Sequence, residues 1–372
     1  MIIDADSHFV EPFDLFQRYV EPQYRERVLQ LAKDPAGGSL PIVVVDGQPM
    51  VGMDFDNLFS TMVGHGKKED GQTLDEFDPQ HAFDPSWQDM DARVRYLDAE
   101  GIDAQIIYPT LGILWEGTIN DPKLADAHCR AYNTWAHEAC AVNRKRLHPV
   151  AHISLRDPDL AVRELHRVAK LGYRTIFVGA IPLEGRSFGH PEYDKVWAAA
   201  QDLDLGVGIH LVVHDKILGA DWHRDPPAGH MYIAFCLFQD QRMALTTMVY
   251  DGVLERFPKL RVATIESKAG WVGEWLERLD YFWSYMAHTS GMKRPAREYF
   301  ERNIWIQGDP AERMLPLVVQ FAGDDKFFIG SDYPHSEGTA HVVARGREVL
   351  AGLPAESVDK VLGRNAQAFF RV

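Results

Sequence analysis

Positive charge is in short supply in this chain. Lys and Arg number 39 against 54 Asp and Glu, which leaves a formal net charge of −15. Nucleic acid and anionic membranes are held by cationic footprints, so neither is an expected partner. No apolar run reaches the roughly 18 residues that a membrane span needs, and no basic segment precedes the first apolar residues. Neither a membrane helix nor a secretory signal is expected. Cysteine is scarce as well. Cys129, Cys140 and Cys236 make no CxxC pair and leave one odd, a pattern that fits buried free thiols in a reducing cytoplasm better than a disulfide framework. No GxGxxG follows an apolar run, which removes the usual mark of a dinucleotide-binding sheet. No internal repeat or low-complexity linker divides the sequence.

What the chain does hold is 372 residues, 46% of them hydrophobic, in a regular alternation of strand-like and helix-like segments. Strands are predicted at Ile2–His8, Ala104–Tyr108, Pro149–Leu155, Thr175–Val178, Gly206–Leu211, Arg261–Ile265, Asn303–Ile306 and Phe327–Asp332. Helices fall between them. One opens at Asp84-Pro85 and stops at Gly101; others run over Pro122–Arg144, from Asp157-Pro158 to Gly172, and over Pro191–Asp202. A long helical region ends near Phe257, followed by Ala269–Tyr285, Pro310–Phe321 and the C-terminal helices. Parallel neighbours need crossover connections, so this alternation means a parallel α/β sheet. Eight units favour a closed (β/α)8 TIM barrel, with the first and eighth strands adjacent; an open doubly wound sheet is the second choice. The whole chain, 1–372, reads as one domain. Its long irregular stretch, 11–83, contains a hairpin signal at Ile42–Val45 with Asp46-Gly47. A loop after the first strand emerges at the catalytic face, so 11–83 is a lid candidate, weighed equally against a plain surface elaboration.

The chemistry is read from the strand ends. In Asp4-Ala5-Asp6-Ser7-His8 alternate side chains share a face, so Asp6 and His8 arrive together at the C-terminal end. The fifth strand delivers His210, the sixth Glu266 and the eighth Asp332, whereas the fourth ends in Phe177-Val178-Gly179 and offers no ligand. Each residue singly reads as an ordinary core or surface polar group. Together, these imidazoles and carboxylates suit Zn²⁺, the first choice, or Mn²⁺, with an open position for water or substrate. His214, His230 and His335 are spare imidazoles near the same face, expected to bind substrate or to support the ligands.

These residues carry a resemblance. Asp4-Ala5-Asp6-Ser7-His8 with Glu11-Pro12, Tyr193-Asp194-Lys195-Val196-Trp197, and Glu255-Arg256-Phe257-Pro258 leading to Glu266-Ser267 are three of its pieces. Gly330-Ser331-Asp332-Tyr333-Pro334-His335 and Gly363-Arg364-Asn365-Ala366 complete it. The chain resembles the amidohydrolase superfamily, in the branch of aminocarboxymuconate semialdehyde decarboxylase and the aromatic-acid decarboxylases. The resemblance implies metal ligation by Asp6, His8, His210 and Asp332, with Asp332 also carrying a proton. Two departures stand out. Asp6 occupies a position that is His or Glu in better-known relatives, and its shorter reach implies a weak or outer ligand. Glu266 replaces the strand-six histidine and becomes a second acid/base candidate or a clamp on His210. Without a strand-four lysine to bridge two ions, one divalent metal per chain is expected.

Non-oxidative decarboxylation of a small aromatic or unsaturated acid is the expected reaction. Mononuclear-metal hydrolysis of an amide, ester or lactone is the alternative. A barrel that binds metal or ligand without turnover is the non-enzymatic reading, kept open by Glu266. The expected partner is a small-molecule substrate, and the expected assembly is a homo-oligomer. The apolar stretch Met231–Met248 and the aromatic run Trp271–Tyr285 are candidates for pocket lining, subunit contact or ordinary exterior packing.

Overall fold

A computed structural model describes residues 1–33, 41–54, 64–65, 84–214 and 230–372. Its strands in chain order are β1 (Ile3–His8), β2 (Gln30–Lys33), β3 (Pro41–Val45), β4 (Gln48–Asp54), β5 (Ala104–Tyr108) and β6 (Leu147–Pro149), then β7 (Ala151–His152), β8 (Thr175–Gly179), β9 (Gly206–His210), β10 (Val262–Ile265), β11 (Ile304–Gly308) and β12 (Phe327–Ile329). β1, β5 and β6 pair in one parallel sheet, and β7 to β12 pair in order in another. The two sheets close on each other at both seams. Val150 joins β6 directly to β7, and its N–H donates to Ile107 O at 2.9 Å. Across the other seam His8 N donates to Tyr333 O at 2.6 Å and Asp332 N to Asp6 O at 2.9 Å. The result is the eight-stranded (β/α)8 barrel, with its first and last strands adjacent as expected.

Parallel strands covered by helices are buried on both faces. β1 shows how far this goes, because all six residues of Ile-Asp-Ala-Asp-Ser-His are buried. A surface strand with its polar face in water is thereby ruled out for this stretch. The helices between strands are tied down by their caps. Asp121 accepts from Lys123 N at 2.9 Å ahead of Pro122–Ala139, and Asp157 accepts from Asp159 N at 2.8 Å ahead of Pro158–Leu171. Gly101 and Gly172 take left-handed φ values of 71° and 96° at two C-termini, as the sequence required.

Several boundaries differ from expectation. Asp84-Pro85 opens only a 3-10 turn, Pro85–Trp87; the helix proper is Met90–Glu100, capped by Asp89 through Asp91 N and Ala92 N. The third strand is interrupted at Val150. The helix expected from Pro310 starts at Leu315. The hairpin at Asp46-Gly47 is present, with both residues at positive φ, 53° and 72°, the geometry that matches strand twist in a two-residue turn. It gains a third strand, β2, paired with β3 through Gln30↔Val44 and Lys33↔Pro41. Of the stretch 11–83, residues 34–40, 55–63 and 66–83 lie outside the described ones. The three cysteines are free and buried.

Candidate metal centre

The C-terminal ends of β1, β9, β10 and β12 bring five donor residues, Asp6, His8, His210, Glu266 and Asp332, into one buried cluster. His8 is fully buried, and its Nδ1 lies 3.2 Å from Pro109 O. A carbonyl only accepts, so Nδ1 carries the proton and Nε2 keeps its lone pair. That Nε2 lies 3.4 Å from Asp6 Oδ1 and 3.4 Å from Asp332 Oδ1. His210 repeats the device: Nδ1 donates to Leu211 O at 2.8 Å, and Nε2 stands 3.3 Å from Glu266 Oε2. Burial drives both imidazoles toward the neutral form. His8 is held well below the usual histidine range by desolvation and by the neighbouring His335 and His210, and His210 is pushed down to about 3, mainly by burial. Two neutral rings with their lone pairs facing inward are in the ligating state.

The carboxylates are pushed the other way. Burial, and then the charge of Asp332, raise Asp6 and Glu266 well above the ordinary carboxylate range. Asp6 Oδ1 and Oδ2, His8 Nε2, His210 Nε2 and Glu266 Oε2 make no hydrogen bond among the described residues. Several inward-facing acceptors without a donor are costly to bury, and a cation at their centre removes the cost. The ligand atoms of Asp6, His8, His210 and Glu266 lie within 4.8 Å of one another, and so do those of His8, Glu266, Asp332 and His335. The set fits one divalent ion.

Local backbone sets this geometry. Glu266 and Asp332 each follow a barrel strand in the left-handed region, at φ 55° and 57°, uncommon for residues other than glycine. Glu266 N also donates to Gln307 Oε1. Gly330 lets β12 approach β1 closely: a Cβ there would come within 2.3 Å of Asp6 Cβ.

His335 completes the cluster. Thr110 gives its hydroxyl proton to Phe9 O at 2.7 Å, so its Oγ1 accepts from His335 Nε2–H at 2.9 Å. His335 Nδ1 then faces Asp332 Oδ1 at 2.8 Å, and its ring stacks on His8 with centroids 4.1 Å apart. Burial opposes the charged imidazole, but Asp332 outweighs it and His335 is raised. Asp6, His8, His210, Glu266, Asp332 and His335 are therefore gathered. His214 is not part of that donor set; its Nε2 lies 3.1 Å from Asp240 Oδ2. His230 opens the helix His230–Tyr250, and its side chain lies outside the described residues. From the stretch 11–83, His65 N donates to Pro334 O at 3.2 Å beside the site.

Two further residues support the cluster: Arg93, not singled out in the sequence, and Asp4, placed there only on the same strand face as Asp6 and His8. Arg93 is fully buried and donates to His8 O at 2.9 Å, Ser86 O at 2.6 Å and Gln105 Oε1 at 3.1 Å, with its guanidinium 4.7 Å over the Tyr333 ring. The signal was there: an arginine three residues after Met90 and four before Leu97, on the core-facing stripe. Asp4 accepts from Gln105 Nε2 at 2.8 Å and from Ser331 N and Oγ at 2.7 Å each. It clasps the barrel's first strand to its last rather than serving as a donor to the cluster.

The sequence profile of the Amidohydrolase family matches residues 3–372. A gamma-resorcylate decarboxylase from Polaromonas sp. is 25% identical over 264 residues, 66% of this chain and 77% of that protein. Among solved structures, amidohydrolase map2389c from Mycobacterium avium subsp. paratuberculosis K-10 superposes with a TM-score of 0.84 at 25% identity, covering 99% of this chain and 98% of that one. A dihydroxybenzoic acid decarboxylase from Polaromonas sp. JS666, with bound manganese and the inhibitor 2-nitroresorcinol, superposes with a TM-score of 0.64 at 22% identity, over 76% and 85% of the two chains.

Proposed function

This chain belongs to the amidohydrolase family, and from that premise we propose that it is a metal-dependent enzyme removing CO₂ non-oxidatively from a small aromatic or unsaturated carboxylic acid. The observation that carries the proposal is the convergence of two neutral imidazoles with unpartnered buried carboxylate oxygens at one barrel mouth. In the proposed assignment His8, His210 and Asp332 hold the ion, with Asp6 as the outer ligand. Zn²⁺ suits the imidazoles; Mn²⁺ suits the carboxylate-rich remainder and is the ion present in the dihydroxybenzoic acid decarboxylase structure. A bound divalent ion supplies a Lewis acid that polarises a substrate carboxylate and a neighbouring hydroxyl.

The chain's own groups handle the proton. The bond between the ring and the carboxylate breaks, its electron pair passes to the ring carbon, CO₂ leaves, and that carbon takes up one proton. In this reading Asp332 holds and passes that proton, supported by its contact with His335 Nδ1 at 2.8 Å. Glu266 is the second acid/base group. Its raised affinity for protons follows from burial, the property a carboxyl needs in order to donate near neutral pH. The surrounding assignments share the proposal: one domain over residues 1–372, part of 11–83 covering the mouth, and a cytoplasmic homo-oligomer. They are supported by the match over 3–372, by His65 against Pro334, by three free thiols and by the exposed Tyr281, Phe282 and Tyr285.

The test is a panel of hydroxybenzoates and unsaturated acids offered to the Zn²⁺-loaded and the Mn²⁺-loaded protein, with CO₂ release as the readout. Release that disappears in Asp332→Asn supports the reading. Hydrolysis of an ester or lactone panel with no CO₂ from any acid would reverse it.

A further inference from the structure

Beside Glu266 and Asp332 a pocket of about 140 Å³ opens, lined also by Phe238, Lys268, Asp309 and Glu337. Four carboxylates against one ammonium, among the described lining residues, make a hostile place for an anionic substrate. Where that ammonium stands therefore matters. Lys268 Nζ is held 2.8 Å from Asp309 Oδ2. Asp309 is itself fixed by Thr339 Oγ1 at 3.1 Å and Ala311 N at 2.7 Å. An ammonium has three N–H donors, so Asp309 leaves two for a ligand. The backbone is also committed: Lys268 has φ 54°, and its carbonyl accepts from Trp271 Nε1 at 2.9 Å. A lysine held in the left-handed region at a pocket wall is strain retained where a ligand would profit from it.

Depth separates Lys268 from the reacting groups. Its side chain is 51% exposed, at the rim, whereas those of Glu266 and Asp332 are each 9% exposed, at the base. An ammonium gripping the leaving carboxylate would lose its partner's charge as CO₂ forms, whereas one at the rim grips a part of the substrate that does not react and keeps that interaction throughout.

Resting on the decarboxylase reading above, we propose that Lys268 selects a dianionic aromatic acid, whose second carboxylate lies at the rim and stays in the product. The leaving carboxylate goes down among the buried donors, the ring lies along Phe238, and the retained carboxylate meets the two free N–H groups of Lys268. Binding energy is thereby collected at a distance from the bond that breaks.

Calorimetric titration of the metal-loaded parent, Lys268→Met and Lys268→Arg with salicylate and with 4-hydroxyisophthalate, which differ by one carboxylate, tests this. The parent is expected to bind the dicarboxylate about tenfold more tightly, the scale of one charge-assisted hydrogen bond. Lys268→Met should lose that preference while keeping its salicylate affinity, and Lys268→Arg should keep the preference. If Lys268→Met does not fold, Lys268→Gln makes the same measurement. A preference that survives in the uncharged variant, or a parent that binds both ligands equally, overturns the role of Lys268 alone. Loss of salicylate together with the dicarboxylate overturns it too, since Lys268 would then act on the shared carboxylate. A parent that binds neither acid overturns this inference, whereas the decarboxylase reading falls only if the acid panel above also releases no CO₂.

Discussion

Two histidines, each with Nδ1 on a carbonyl and Nε2 facing inward, do most to define the centre. Replacing His210 by Ala removes one inward lone pair and leaves the buried carboxylates without its support. Elemental analysis of His210→Ala is expected to show marked loss of the single bound ion, and full occupancy in that variant would reject the ligand assignment. Glu266 poses a different question at the same scale. Burial raises its pKa, with Asp332 adding to the effect, while a bound cation would pull it down. Glu266→Gln keeps the size and removes the titratable group. The rate is expected to fall by a factor of about 10²–10⁴, the usual contribution of a general acid or base, with metal content largely kept. A Gln variant as fast as the parent would leave Asp332 as the only proton carrier.

At the scale of elements, the order of eight strands and their helices was legible because parallel barrel strands are apolar runs bounded by Asp-Pro caps and glycine stops. β2 was not legible, since Gln-Leu-Ala-Lys is a short edge strand without an apolar signature. The break at Val150 was hidden as well, because pairing with two different neighbours leaves no mark on composition. A tertiary joint also escaped notice: His128, on the helix Pro122–Ala139, donates from Nδ1 to Leu124 O at 2.8 Å and accepts at Nε2 from Leu29 N at 3.1 Å. Only the neutral ring can make both bonds, and burial holds its pKa down to about 4. A depressed histidine contributes stability that is present above its unfolded value of about 6.5 and is lost as pH falls through the folded value. Between about pH 7 and pH 4 the joint should cost the parent about 3 kcal/mol. His128→Gln can make both bonds without titrating. Urea unfolding at the two pH values should show the parent losing about that much more than the variant, and equal losses would exclude the joint as an acid-sensitive point.

The whole molecule is a barrel closed around unlike halves of a site, with Asp6 and His8 from the first strand meeting Asp332 and His335 from the end of the last. That meeting was legible from strand-end residues once eight units were counted. The exchange of His214 toward Asp240 and the buried reach of Arg93 were not, because both depend on how a helix packs over a strand end. Closure also concentrates charge: without a cation, Asp6 and Glu266 are raised well above the ordinary carboxylate range by burial and by Asp332. A carboxyl whose folded pKa lies above its unfolded one favours folding at low pH, and that benefit is lost as pH rises through the folded value. The metal-free barrel should therefore weaken from mildly acid toward alkaline pH. Protons on His8 and His210 compete with the ion only at the acid end. Both effects push the same way, so the stabilisation conferred by the metal should be larger at about pH 8 than at about pH 6. An ion at about 100 times its Kd adds about 2.7 kcal/mol. Scanning calorimetry of chelator-treated and Mn²⁺- or Zn²⁺-loaded protein should show the Tm gap widening with pH, and Asp6→Asn combined with Glu266→Gln should flatten the metal-free decline. A gap that is absent, or that narrows as pH rises, would mean that these carboxylates do not face a common ion.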